Sequence, residues 1–224
     1  MTKLSNLDLV RRVPLFSTLT EEQANTLLGQ VEKRRLVRGA VMLRQGETSG
    51  ELYVMLNGRA RVVVADSQGR QVILATLRSG DCVGEMSIID QEPHSATVIM
   101  DMPGDVLVLS SAAFSRCIAH NAAMAQAVMV ALVQRLRNST KKIGSLALMG
   151  VYGRVANVLL DMAVPDGDGA FLVQEKLTKQ DIARMVGASR EMVSRVMKHF
   201  EDQRFMQIQP NGHIRIFERR KKAR

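Results

Sequence analysis

The chain has 224 residues, of which 46% are hydrophobic, so it can build packed cores for one large or two small domains and is not disordered by composition. Its net charge is +9, and residues 175–224 hold 13 basic against 6 acidic residues, which indicates nucleic acid, an anionic membrane surface or simply a solvated basic face. Two distant cysteines and no long apolar run argue against a disulfide framework, a metal site and a membrane span, so we expect a soluble, cytoplasmic protein without a membrane partner.

The first predicted element is a short amphipathic helix in which Thr20 and Gln23 form a capping box. Apolar residues then recur at helical spacing, at Ala24, Leu27, Leu28 and Val31. From Arg38 to about Leu109 the pattern changes to short β-rich runs, which are separated by turn signals such as Asn-Gly and Pro-Gly. Runs at this spacing predict an antiparallel β-sandwich or barrel.

A long helical region follows, from about Ser111 to Leu148. Its second half contains positions at the alternating three- and four-residue spacing of a coiled-coil seam, interrupted by the hydroxyl residue Ser139. The apolar members of this seam are Met129, Leu132, Leu136, Ile143 and Leu146. The spacing predicts a dimer interface, and the alternative is a single amphipathic helix buried on its own sheet.

The segment LTKQDIARMVGASREMVSRVMKHFEDQ has the layout of a helix-turn-helix motif. Thr178 with Asp181 signals the start of one helix, Gly187 breaks that helix, and Ser189 is placed to cap the second. Beyond it, FMQIQPNGHIRIF predicts two strands joined around Asn211-Gly212, and the tail RRKKAR adds positive charge. Together these features favour a winged-helix DNA-binding domain.

In such a domain the second helix enters the major groove. Arg190 and Arg195 can each bond guanine bidentately, and Glu191 can accept a hydrogen bond from cytosine. Thr178, Ser189 and Lys198 can bond phosphates. The alternative is an exposed helix face on which Glu191 and Arg195 form an ordinary i,i+4 ion pair.

Three segments in this order resemble the CRP/FNR superfamily of transcription regulators: the helix-turn-helix above, GEMSIID with HSATV, and RLRNSTKKIGSLALMGVYGRVANVLL. The helix-turn-helix is more similar to the cyclic-AMP receptor branch than to the FNR branch. The resemblance implies an α+β fold with an N-terminal cyclic-nucleotide-binding β-roll (residues 1–115), a dimerisation helix and hinge (116–150) and a C-terminal winged helix-turn-helix (151–224). It also implies base contacts from Arg190, Glu191 and Arg195, with Thr178, Gln180 and Ser189 near phosphates.

The resemblance further implies an effector site in the β-roll. Its residues would be Gly84, Glu85, Met86 and Ser87 in the phosphate-binding helix, His94 and Ser95 on the β-roll, and Arg135, Ser139 and Thr140 on the dimer helix. Glu85 would accept a hydrogen bond from a ribose hydroxyl. His94 departs from the family pattern, in which an arginine neutralises the phosphate; the alternative is that His94 is a strand-surface imidazole.

A histidine is mostly neutral at pH 7 and lacks the guanidinium fork, so we expect cyclic AMP to bind weakly or not at all at neutral pH. Cyclic di-GMP, cyclic AMP and no nucleotide at all remain open as effectors. Ser139 and Thr140 have the alternative role of a polar break in the seam.

The expected function is a homodimeric regulator of a two-fold-symmetric DNA site with TGTGA-like halves, with RNA polymerase as a further partner if it activates transcription. Two alternatives are an effector-independent regulator and a nucleotide-sensing module acting on a protein partner. Walker A, HExxH and GxSxG patterns and an iron–sulfur cysteine set are absent from the sequence, so we do not expect an enzyme or an oxygen sensor.

Overall fold

The computed structural model describes residues 16–17, 20–167 and 169–217, without the side chains of residues 25, 26 and 28. The chain divides into two compact units, Met1–Asn138 and Ser139–Arg224. The tail RRKKAR and the side chain of Leu28 therefore lie outside the described part of the chain. The α+β class is confirmed, whereas the three-part division at residues 115 and 150 stays a prediction.

The first unit contains two antiparallel four-stranded sheets and several helices. Its elements are α1 (Glu21–Leu28), β1 (Val31–Leu36), β2 (Val41–Leu43), β3 (Glu51–Met55), β4 (Arg59–Ala65), β5 (Gln71–Leu77), β6 (Cys82–Val83), α2 (Glu85–Asp90), β7 (Thr97–Met102), β8 (Gly104–Ser110), α3 (Ser111–His120) and the part of α4 (Ala122–Leu148) up to Asn138. The sheet orders are β1-β8-β3-β6 and β2-β7-β4-β5. The predicted antiparallel β-architecture is confirmed.

Strand β3 is buried on both faces, and its sequence, ELYVM, is mostly apolar and does not alternate with polar residues. Leu52 and Val54 join a core that includes residues of α1, α3 and α4, whereas Tyr53 and Met55 join a core shared with the second sheet. A strand covered on both faces has no solvent side, so period-two polarity is lost.

Two helix boundaries differ from the predictions. The capping box between Thr20 and Gln23 is present, but α1 ends at Leu28, and Val31 begins β1 instead of continuing the helix. The region from Ser111 to Leu148 is two helices with a bend of 113° at Asn121. The Asn121 side chain accepts a hydrogen bond from the N–H of Met124 at 2.9 Å, which caps the second helix.

The second unit contains the end of α4 and a compact helix and sheet assembly. Its other elements are α5 (Val151–Asp161), β9 (Val164–Pro165), β10 (Ala170–Val173), α6 (Lys179–Val186), α7 (Arg190–Asp202), β11 (Met206–Ile208) and β12 (Ile214–Phe217). The predicted hairpin is confirmed, because β11 and β12 pair antiparallel around Asn211-Gly212. Strands β9 and β10, which extend this sheet, were not predicted.

No single helix within the described ranges is long and apolar enough to cross a membrane; the bent pair of α3 and α4 passes such a test only by length and composition.

Candidate effector site and DNA-binding surface

The helix-turn-helix is built by local signals that the sequence carries. Thr178 and Asp181 form a reciprocal capping box at the start of α6, and Gly187 ends that helix in the left-handed conformation, at φ 62°. Ser189 then accepts a hydrogen bond from the N–H of Met192 at 3.2 Å and so caps α7. Each signal therefore terminates or starts a helix where the motif requires it.

The two faces of α7 separate as the sequence predicts. Val193, Val196 and Met197 are buried in the core of the second unit, with Ile182 and Val186 of α6. The opposite face is exposed and carries Arg190, Glu191, Arg195 and Lys198.

The row of charges on α7 is not neutralised internally. Over residues 16–17, 20–167 and 169–217, the ion pairs present do not include one between Glu191 and Arg195, so the simple i,i+4 alternative is not realised. Gln180 on α6 and Ser189 at the start of α7 are exposed. Thr178 is exposed as well. Its hydroxyl donates to the Asp181 carboxylate at 2.7 Å, so the hydroxyl hydrogen is already used within the capping box of α6.

In the first unit, Gly84 introduces the short helix α2 in a conformation that requires glycine. Its φ is 103°, and a Cβ at this position would overlap the carbonyl oxygen of Glu51. The tight turn from β6 into α2 places Glu85 inside the unit, where it is 2% exposed.

Only one of the two carboxylate oxygens of Glu85 has a hydrogen-bond partner among the described residues. One oxygen, Oε1, accepts from the guanidinium of Arg135 on α4, and Arg135 also donates to the carbonyl oxygen of Cys82. The other oxygen, Oε2, has no hydrogen-bond partner among the described residues. Burial raises the pKa of Glu85, and the Arg135 charge opposes that rise. A buried acceptor of this kind fits a donor such as a ribose hydroxyl.

His94 is buried, at 6% exposure, so the alternative of a strand-surface imidazole is wrong. Its Nε2 lies 2.8 Å from Ser49 Oγ, and its Nδ1 lies 2.7 Å from Ser87 Oγ. Burial lowers the pKa of His94 below its ordinary value, although the charge of Glu47 acts in the opposite direction. The imidazole is therefore neutral at pH 7 and does not replace a guanidinium.

Ser49 was missed by the sequence analysis, because it lies 45 positions from His94 and no local pattern connects the two. Met86 and Ser95 are exposed. Ser139 and Thr140 are exposed on the part of α4 that belongs to the second unit, so their contact with an effector stays a prediction.

The predicted dimer seam divides into two groups. Met129, Leu136, Ile143 and Leu146 are large apolar side chains exposed on the single chain, and Leu136 is 67% exposed. Leu132 instead packs against the core of the first unit. An exposed apolar row of this length on one helix is typical of a surface that another chain covers.

Comparisons with known proteins agree with this architecture. Residues 33–121 match the cyclic nucleotide-binding domain, and residues 153–221 match the Crp-like helix-turn-helix domain. The chain is 32% identical over 207 residues to the cAMP-activated global transcriptional regulator Vfr of Pseudomonas aeruginosa, which covers 88% of this chain and 94% of that protein. It is 33% identical over 172 residues to the cAMP-activated global transcriptional regulator CRP of Escherichia coli O6:H1, which covers 73% and 80%.

Among solved structures, the chain is similar to the c-di-GMP responsive global regulator CLP of Xanthomonas campestris. The TM-score is 0.77 at 21% identity, and the match covers 89% of this chain and 100% of that one. At this identity the likeness concerns the fold alone.

Proposed function

Because this chain belongs to the CRP/FNR family of transcription regulators, we propose that it binds a specific DNA site as a homodimer under the control of a small effector. The observation that carries the DNA-binding part is the exposed row of Arg190, Glu191 and Arg195 on α7, without internal ion pairs in the described part of the chain. Two recognition helices in a symmetric dimer read a site of two-fold symmetry.

Arginine donates two parallel hydrogen bonds to O6 and N7 of guanine, and glutamate accepts from N4 of cytosine. The family resemblance implies that Arg190, Glu191 and Arg195 read a half-site with a TGTGA-like, G-rich core, and these hydrogen-bonding preferences are consistent with such a core. Its two copies are expected about 10 to 11 base pairs apart, centre to centre, because each recognition helix enters the major groove on the same side of the duplex.

Selection from random DNA sequences tests this proposal. Arg190→Ala and Arg195→Ala are each expected to cost roughly 1 to 3 kcal/mol and to relax the preference at one base pair. Lys198→Ala is the matched control on the same exposed face: loss of a phosphate contact weakens all sequences alike. An unbiased pool recovered with the unmodified protein would contradict sequence-specific binding.

The proposed effector class is a cyclic nucleotide or dinucleotide. The buried Oε2 atom of Glu85, without a partner in the described residues, supports a ligand that brings a hydroxyl donor. The neutral His94 argues for weak binding of cyclic AMP at neutral pH, although Vfr and CRP are cAMP-activated. Cyclic di-GMP is the favoured candidate, and the c-di-GMP responsive regulator CLP has the same fold.

The effector must bind the DNA-competent state more tightly than the other state in order to control the protein. Calorimetric titration of cyclic AMP, cyclic GMP, cyclic di-AMP and cyclic di-GMP tests the class. Nucleotide binding without a DNA footprint would favour a module acting on a protein partner, and a footprint without nucleotide binding would favour effector-independent regulation.

A further inference from the structure

A cleft in the first unit is lined mainly by hydroxyl groups. It has a volume of about 310 Å³ and opens between the segment before β3, helix α2 and the start of α3. Its lining residues are Thr48, Ser49, Gly50, Ser87, Ile88, Gln91 and Ser111. None of these seven is charged, and Thr48, Ser49 and Ser111 belong to neither the predicted effector set nor the DNA-binding set. The volume is at the lower end for sites that hold small ligands.

The buried His94 ring lies behind two walls of this cleft. Its nitrogens bond the hydroxyls of Ser49 and Ser87, which come from different segments of the chain. The His94 backbone is held as well: its N–H donates to the carbonyl of Glu47 at 2.9 Å, and its carbonyl accepts from the N–H of Gly46 at 2.9 Å. Hydrogen bonds therefore hold both the ring and the backbone of His94.

The protonation state of His94 decides how many hydroxyl donors face the cleft. A neutral imidazole has one N–H donor and one nitrogen lone pair that accepts. One of the two serine hydroxyls therefore donates to the ring, and only the other hydroxyl can donate to a ligand. An imidazolium has two N–H groups, so Ser49 and Ser87 both accept from it. Both hydroxyl protons then become available to a ligand, with a positive charge directly behind them.

We infer that this cleft binds a phosphate group when His94 takes up a proton. A phosphate group supplies several acceptor oxygens for the hydroxyls of Thr48, Ser49, Ser87 and Ser111, and its negative charge stabilises the imidazolium. The inference rests on the proposed function in one respect: Ser87 and His94 are shared with the proposed effector site. The phosphate is therefore that of a cyclic nucleotide or that of another phosphate compound.

The direction of the pH dependence follows from the surroundings of His94. Burial lowers the pKa of the free ring, and Glu47 is the charged group whose field acts on it in the opposite sense. Glu47 itself pairs with Arg44 at 3.3 Å, and the two side chains that hydrogen-bond to the ring, Ser49 and Ser87, are neutral. His94 is thus neutral at pH 7 when no ligand is bound, and binding of a phosphate group is accompanied by uptake of one proton from solvent. Affinity rises as the pH falls, by at most about tenfold per pH unit for one proton.

Nuclear magnetic resonance of the full chain measures this coupling directly. The chain has four histidines, so replacing His120, His199 and His213 by Gln leaves His94 as the single titrating imidazole. The probes are dimethyl phosphate, which is a phosphodiester of constant charge, cyclic AMP and cyclic di-GMP. A bound phosphate group is expected to raise the pKa of His94, and calorimetry is expected to give tighter binding at about pH 6 than at about pH 8.

Cleft variants and a matched control complete the test. Ser49→Ala and Ser111→Ala are expected to weaken binding of the probe several-fold, whereas Ser67→Ala, at an exposed hydroxyl in the β4–β5 turn, is expected to have no effect. If a cyclic nucleotide binds equally at both pH values without moving the pKa of His94, the inference is wrong and the proposed function stands. If dimethyl phosphate raises the pKa of His94 and neither cyclic nucleotide binds, the inference stands and the cyclic-nucleotide effector fails. If no probe moves the pKa, the cleft is not a phosphate site.

Discussion

Replacing Arg135 by Met is expected to destabilise the first unit, because it leaves the buried Glu85 carboxylate without its cationic partner. Glu85 is 2% exposed, and its second oxygen already lacks a partner among the described residues. Arg135 also supplies the donor for the Cys82 carbonyl. Loss of this one side chain therefore removes a charge partner and a backbone contact together.

The size of the effect lies between two limits. Removing one partner of a fully buried ion pair costs about 3 to 5 kcal/mol, and an exposed pair contributes about 0 to 1 kcal/mol. Glu85 is at the buried limit, but the Arg135 side chain is 36% exposed, so water already screens part of its charge. We expect Arg135→Met to cost about 2 kcal/mol in the free energy of unfolding, and Glu85→Gln to recover most of that cost in the double variant.

The cost is expected to depend on pH in a defined direction. Burial raises the pKa of Glu85 in the folded state above its ordinary 4.5, and loss of Arg135 raises that pKa further. A carboxyl group with a raised folded pKa favours the folded state as it becomes protonated. The destabilisation by Arg135→Met is therefore full above the folded pKa of the variant, and it shrinks as the pH falls through that pKa toward 4.5.

The two tyrosines allow a measurement confined to the first unit. Tyr53 is buried there and Tyr152 lies in the second unit, so a Tyr152→Phe background makes Tyr53 the only tyrosine. Urea denaturation followed by its fluorescence gives the free energy of unfolding for each variant. Arg137→Met is the matched control, since Arg137 is exposed on the same helix. Equal costs for the two variants, or no coupling between Arg135 and Glu85 in the double-mutant cycle, would refute the reasoning.

Three other predictions follow from the same structure. Replacing Leu136 with a charged residue is expected to give a monomer in sedimentation, because two unpaired charges would face each other in the proposed seam; a variant still dimeric at low micromolar concentration would locate the interface elsewhere. Gly84→Ala is expected to lower the free energy of unfolding by about 2 to 4 kcal/mol in a denaturation experiment, because the new Cβ would overlap the Glu51 carbonyl oxygen. Gly69→Ala, at a position that also has positive φ but open space around it, is expected to cost about 1 kcal/mol. Similar costs for the two variants would mean that the Glu51 carbonyl moves away from the added methyl group. His94→Arg is expected to raise cyclic AMP affinity at neutral pH, by an amount equivalent to roughly 1.5 to 3 kcal/mol; calorimetry that finds tight cyclic AMP binding by the unmodified chain would contradict our interpretation of His94.

The sequence by itself determined the elements that depend on local interactions. The Thr178–Asp181 box, the left-handed Gly187 and the Ser189 cap form within a few residues of one another, so the helix-turn-helix was predictable before any tertiary contact was known. The turn at Asn211-Gly212 is local in the same sense, and the period of α7 predicts its buried and exposed faces.

Tertiary structure alone decided the state of His94, the pairing of Glu85 and the short strands β9 and β10. Ser49 and His94 are 45 positions apart, and Glu85 and Arg135 are 50 apart, so these contacts exist only after the sheets and helices have packed. The residue type of His94 leaves a surface imidazole and a buried one equally possible, and burial selects the neutral form by removing water from the ring. Strands β9 and β10 have two and four residues, and they are defined by the neighbouring strands that complete their hydrogen bonds.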